Sequence, residues 1–192
     1  MQNLTFWTGN PHKLSEASAI LWIELKWYAP EDLEKIKNSC NWDLTEIQSM
    51  DVIEIIKRKA KDAYEILWRP IMIEDTGLFI EALNGFPWPL VKYVIDWPWL
   101  EAIFKMMAWF KNRSAEAITG VCMYDWDEYT IWYWCLKWNI VEVPRWDKFW
   151  YSNAFEPVWS EKTFWEMTED EKNLISMRRI AFLDFVSKLK NN

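Results

Sequence analysis

Ile71-Met72-Ile73-Glu74-Asp75-Thr76-Gly77-Leu78-Phe79 is the stretch on which the fold is decided. Three apolar residues read as a buried strand, and the Glu74-Asp75 pair is expected where that strand ends and the chain turns. Carboxylates at the open end of a sheet strand are placed to hold a metal or to activate a water. The same residues also allow a plain structural reading. In it, Asp75 caps the next turn through its side chain and Gly77 supplies a positive φ.

Upstream of this strand, Val52, Ile53, Ile56, Ala60, Ala63, Tyr64 and Leu67 recur at helical spacing, which predicts a helix over residues 50–67. The basic run Lys57, Arg58, Lys59 and Lys61 on that helix reads as a solvated face. At the start of the chain, residues 4–7 read as a short strand. It runs into Thr8-Gly9-Asn10-Pro11-His12-Lys13 and a helix over residues 13–21. Strand, polar turn and helix in that order form an anion site, because the helix start presents backbone N–H groups beside Lys13. His12, the single histidine, reads as a loop residue. A second strand is expected over residues 23–28 and a helical or loop segment over 30–37.

Downstream, residues 81–86 read as a turn and residues 100–108 as a helix. Residues 115–124 and 128–136 read as the arms of a β-hairpin joined by Asp125-Trp126-Asp127, and residues 139–143 as a further strand. Thr168 with Glu171 three residues on forms a capping box that opens one last helix. The expected fold class is α/β: a mixed central sheet flanked by helices, in a single domain over residues 1–192, with two lobes and an active-site cleft between them.

Composition narrows the function. The chain of 192 residues is 51% hydrophobic and 27% charged, a globular balance. Its net charge of -7 argues against a nucleic-acid surface built on bulk charge. No apolar run is long enough to span a membrane and no signal peptide is evident. Cys40, Cys122 and Cys135 lie far apart, with no metal-ligand spacing, and an odd count suits a reducing compartment. The expected location is cytoplasmic. One number stands out: the chain has 17 tryptophans and 4 glycines, where ~7% glycine is ordinary. Trp68, Trp88, Trp126 and Trp146 occupy segments that read as turns.

Four stretches, in order along nearly the whole chain, resemble the inosine triphosphate pyrophosphatase, or Ham1-like, family. They are Thr8 to Lys13, Glu46-Ile47-Gln48, Ile73 to Leu78 with Leu83-Asn84-Gly85-Phe86-Pro87, and Ser160 through Lys172 to Arg178. The resemblance implies an enzyme, a homodimer using Mg²⁺. It would hydrolyse deaminated purine nucleoside triphosphates (ITP, dITP, XTP) to the monophosphate and pyrophosphate. Thr8, Gly9, Asn10 and Lys13 would hold the triphosphate, with Lys59, Thr76 and Gly77 also contacting substrate. Glu46 would bind the metal. Asp75 would complete that site and act as the base that orients water, with Glu74 beside it as a further ligand. Phe149, Ser152, Lys172, Ser176 and Arg178 would line the base side.

That base side departs from the family. Ser152 stands where an aspartate is usual, and Met177 where a histidine is usual, so two polar partners for the base are replaced. Against the family, glycine is expected at or near Trp88, Trp146 and Trp150, and also near Trp22, Trp109, Trp126, Trp138 and Trp159. A residue with a Cβ at φ > 0 costs about 1–2 kcal/mol. The second functional expectation is therefore a nucleotide-binding scaffold with impaired catalysis.

Overall fold

The computed structural model describes residues 4–8, 10–21, 25, 32, 47–91, 94, 99–143, 145 and 153–190. The segments 23–28 and 30–37 lie outside these except at Leu25 and Asp32, and so do Gly9, Trp22, Cys40, Glu46, Trp146, Phe149, Trp150 and Ser152.

Among the described residues six strands form one sheet in the order β1 (Thr5–Phe6), β2 (Ile71–Ile80), β4 (Ser114–Asp125), β5 (Glu128–Ile140), β6 (Phe155–Pro157), with β3 (Pro87–Trp88) paired to β2. β1 runs parallel to β2, while β3 on β2 and β6 on β5 are antiparallel. The sheet is therefore mixed, as expected. The helices bounded within the described residues are α1 (Pro11–Leu21), α2 (Val52–Leu67), α3 (Trp99–Met107), α4 (Glu169–Ile175) and α5 (Met177–Lys190).

Two expectations about the central strand are corrected. β2 does not end at Glu74-Asp75; it continues unbroken to Ile80. Thr76, Leu78, Phe79 and Ile80 are strand formers, and β3 pairs opposite Leu78 and Phe79. Asp75 therefore caps no turn, and Gly77 has no positive φ. Smaller corrections follow the same physics. α1 begins at Pro11, so His12 is helical rather than in a loop; proline at the first helical position sacrifices no hydrogen bond. Asn139 belongs to the long β5. The last helix is two: Ser176, at ψ 113°, ends α4, and α5 starts at Met177. The capping box of Thr168 and Glu171 is present.

The chain divides into two compact units. Unit 1 holds residues 1–75, 120–133 and 178–192; unit 2 holds 76–119 and 134–177. The core of unit 1 gathers Leu4, Phe6, Ala17, Ile20, Met72, Val121 and Phe182. α2 lays Val52, Ile55, Ile56, Ala60 and Ala63 inward. It approaches the sheet closely at Gly120, where a Cβ would sit 2.8 Å from the Ile56 side chain. The core of unit 2 gathers Leu78, Ile80, Ile103, Met107, Trp138, Ile140, Phe155 and Met177.

The tryptophans separate into two kinds. Trp68 (φ 52°), Trp88 (φ 54°) and Trp126 (φ 42°) occupy the left-handed region that glycine favours. Trp68 is the C-cap of α2, its N–H donating to Tyr64 O at 2.7 Å. Trp126 and Asp127, both at positive φ, make the two-residue turn joining β4 to β5, the pattern of a type I′ hairpin. Trp109, Trp138 and Trp159, by contrast, have ordinary φ. Trp138 is 2% exposed and packs against Phe155 and Phe164, so there the indole fills the core.

Candidate active site

The pleat of β2 explains how two neighbouring carboxylates serve different helices. Successive side chains of a strand point to opposite faces. Met72 packs with Ala17 of α1 and Phe182 of α5, so Glu74, two residues on, points to that face. There Lys13 Nζ lies 3.0 Å from Glu74 Oε2, and Arg178 Nε lies 3.3 Å from Glu74 Oε1. Asp75 points to the α2 face, where Lys59 Nζ donates to its Oδ2 at 2.8 Å. The side chain of Glu74 is 0% exposed, whereas that of Asp75 retains 22%. A buried carboxylate is tolerated only when paired, and Glu74 has a cation at each oxygen.

The phosphate loop is placed by register. Phe6 pairs with Met72 in the parallel ladder, and Trp7 N donates to Met72 O at 2.9 Å. Thr8 therefore leaves the sheet at the level of Glu74. Its Oγ1 accepts from the Asn10 N–H at 3.1 Å, which shapes the turn into α1. Lys13 lies in the first turn of α1. Glu16, three residues on and so on the same side of the helix, accepts from Arg178 Nη1. Lys13, Glu74, Arg178 and Glu16 thus alternate in charge around a ring that closes through α1. Sequence reasoning missed Glu16, although its spacing from Lys13 carried the signal. It also read Lys59 as part of a basic face until the resemblance singled it out. Its neighbours do lie outward: exposed Arg58 pairs with Asp62, and Lys57 rests over the Tyr129 ring.

Unit 2 carries Thr76, Gly77, Lys172 and Ser176. Thr76 Oγ1 lies 2.8 Å from Thr119 Oγ1, a second contact that sequence reasoning missed. Lys172 lies on α4, and the Ser176 N–H donates to its carbonyl at 2.7 Å. Met177 is buried in the apolar core of this unit. Unit 2 also holds a groove of about 790 Å³ lined by Lys111, Arg113, Asn139, Val141, Arg145 and Glu156. No residue assigned to the site from sequence lines it. Arg113 there donates to the carbonyls of Met107, Ile140 and Val141, a staple for the end of β5.

Among the described residues no three His, Cys, Asp or Glu side chains converge on a metal position. Mg²⁺ does not require three: it takes one or two carboxylates and fills its octahedron with water and phosphate oxygens. Asp75 fits that demand, with carboxylate oxygens on a side chain that still reaches the surface. Glu74, fully enclosed between two cations, fits it less well.

The sequence pattern of the Ham1 family matches residues 4–188, from the strand before Thr8 to the last helix. The chain belongs to the Ham1 family. It is 37% identical to the dITP/XTP pyrophosphatase of Methanopyrus kandleri, over 97% of this chain and 96% of that one. It is 34% identical to the inosine triphosphate pyrophosphatase of Saccharomyces cerevisiae, over 98% and 96%. The fold agrees as well. The Ham1 protein of Staphylococcus aureus superposes with a TM-score of 0.80 over 98% of each chain, at 20% identity. For this Ham1 family member, the α/β fold with a mixed sheet flanked by helices is thus that of its family.

Proposed function

We propose that this chain is a nucleoside triphosphate pyrophosphatase that hydrolyses deaminated purine nucleoside triphosphates (ITP, dITP and XTP) to the monophosphate and pyrophosphate. The observation that carries the reading is the middle of β2, where Glu74 and Asp75 divide three cations between two faces of one strand. Family membership and the names of the relatives support the same chemistry.

The family resemblance supplies the roles, and the geometry of the described residues supports those of Lys13, Lys59, Glu74 and Asp75. Lys13, held against Glu74 beside the start of α1, meets phosphate oxygens together with Thr8, Gly9 and Asn10. Lys59 neutralises phosphate charge from the α2 side. Asp75 orients the attacking water and takes its proton as the anhydride bond breaks. Glu74 fixes Lys13 and Arg178 rather than binding metal. Glu46 and Asp75 would hold Mg²⁺, whose chemistry when bound is to neutralise phosphate charge and polarise phosphorus. Thr76 and Gly77 contact the phosphates from the following residues of β2. Phe149, Ser152, Lys172, Ser176 and Arg178 serve the base. The protein acts as a cytoplasmic homodimer.

One observation favours a second reading, a nucleotide-binding scaffold with impaired turnover. Met177 is buried in an apolar core and offers no hydrogen bond to a 6-keto oxygen. Pyrophosphate release from ITP, compared with ATP, in the presence of Mg²⁺ separates the two. Faster release from ITP supports the enzyme; ITP binding with no release supports the scaffold.

A further inference from the structure

We propose that Glu16 is a specificity-determining residue: it holds Arg178 against the pull of the substrate phosphates and so reserves that guanidinium for the nucleobase. The inference rests on the readings of Lys13 as a phosphate contact and of Arg178 as a base contact. The four groups involved, Lys13, Glu16, Glu74 and Arg178, all belong to unit 1. Glu74 alone does not settle Arg178. Its Oε2 faces Lys13 and its Oε1 faces Arg178, so one negative charge is divided between two positive ones. Glu16, accepting from Arg178 Nη1, supplies the second negative charge of the ring. It is the one acidic residue of α1 and stands three residues after Lys13.

The arrangement matters when a polyanion arrives. Lys13 and Arg178 sit on opposite oxygens of one carboxylate, so a polyphosphate drawn to Lys13 attracts Arg178 as well. The Arg178 side chain is 21% exposed, and a guanidinium matches phosphate geometry. Captured by the phosphates, it would no longer read the base, and its binding energy would go to a group that every nucleoside triphosphate shares. Glu16 opposes that capture, because its charge-assisted hydrogen bond to Arg178 has to be given up first. Its effect therefore falls on one bound arrangement and not on the other. Glu16 is also the most exposed of the four, its side chain at 41% against 0% for Glu74, so removing its charge leaves the buried pairing of Glu74 with Lys13 in place.

The test is calorimetric binding of inorganic triphosphate, ITP and ATP with Mg²⁺, which needs no turnover. Glu16→Gln is expected to bind inorganic triphosphate about fivefold tighter, the effect of freeing one cation near a polyanion at a partly screened surface. The ratio of ATP to ITP dissociation constants is expected to fall by a similar factor. Glu16→Asp, which keeps the charge, is expected to bind like the parent chain, with melting temperatures of both variants close to the parent's. In an Arg178→Gln background the same Glu16→Gln change is expected to leave triphosphate binding where it was. Triphosphate binding by Glu16→Gln equal to or weaker than that of the parent chain would overturn the proposal and leave the reading of the site intact. The same tightening in the Arg178→Gln background would also overturn it, since Glu16 would then act as a bare repulsive charge. So would an unchanged ratio of ATP to ITP. Absence of triphosphate binding by the parent chain would overturn the reading of the site, and the proposal with it.

Discussion

The Glu74-Asp75 pair of β2 and the turns of the same molecule are built on opposite terms. At Glu74 and Asp75 each charged group has a partner of opposite sign within 3.3 Å, and the strand carrying them adopts ordinary extended backbone. At Trp68, Trp88 and Trp126 a bulky residue holds a conformation that suits glycine, and Trp68 and Trp126 gain little burial, at 71% and 74% exposed. The difference shows that local agreement between sequence and structure is concentrated where charge must be buried. The turns at Trp68 and Trp126 tolerate strain because their side chains project into water. Stability and function are therefore coupled at the site and separable at the turns.

That separation can be attacked from both ends. The largest effect is expected at the site. Glu74→Gln leaves Lys13 and Arg178 facing a neutral amide in a buried position, at a cost of about 3 kcal/mol, read from urea unfolding. A cost below about 1 kcal/mol would mean that the pairing there is no tighter than a surface bridge. At the turns the sign reverses. Trp68→Gly and Trp126→Gly should each raise stability by about 1 kcal/mol, additively, with nucleotide hydrolysis unchanged. A change in turnover in either variant would break the claim that the turns are independent.

The smallest effect belongs to a third place, the clamp of Arg145 on Glu156 and Glu166 in unit 2. The pKa of Glu166 is lowered, first by the Thr163 backbone N–H and further by the Thr163 hydroxyl and Arg145. A carboxylate with a lowered folded pKa binds fewer protons folded than unfolded. Its stabilisation is therefore present above its ordinary value of 4.5 and is lost as pH falls through the lowered one. Glu166→Gln should lower the melting temperature slightly at pH 7 and not at all near pH 2. Equal loss at both pH values would show that charge is irrelevant to this half-exposed clamp.

Much of this was legible in the sequence. The helical period of α2, the hairpin, the capping box at Thr168 and the strand into Glu74 follow from local pattern. The extension of β2 past Asp75 was not, because the glycine and the acidic pair read as turn chemistry, while the pairing of Leu78 and Phe79 with β3 decides the matter across distance. Residue types and order pointed to Lys13, Glu74 and Asp75, and the family resemblance to Lys59 and Arg178, all of which the structure joins in ion pairs. Which carboxylate faces which cation depends on the pleat and on packing, and so became visible only in three dimensions. Glu16 and Thr119 were missed for the same reason: each is an ordinary polar residue until its partner from a distant element is known. The strain at Trp68, Trp88 and Trp126 was foreshadowed by the scarcity of glycine, but Trp138 shows that the same residue type can equally be core.

The proposed hydrolysis depends most on Asp75. The most direct test compares the parent chain with Asp75→Asn, following both ITP binding and pyrophosphate release with Mg²⁺ present. The expected result is retained binding and a fall in turnover of about a hundredfold or more, the loss of a positioned base. Turnover by Asp75→Asn equal to that of the parent chain would contradict the assignment and return Glu74 and Asp75 to a purely structural role.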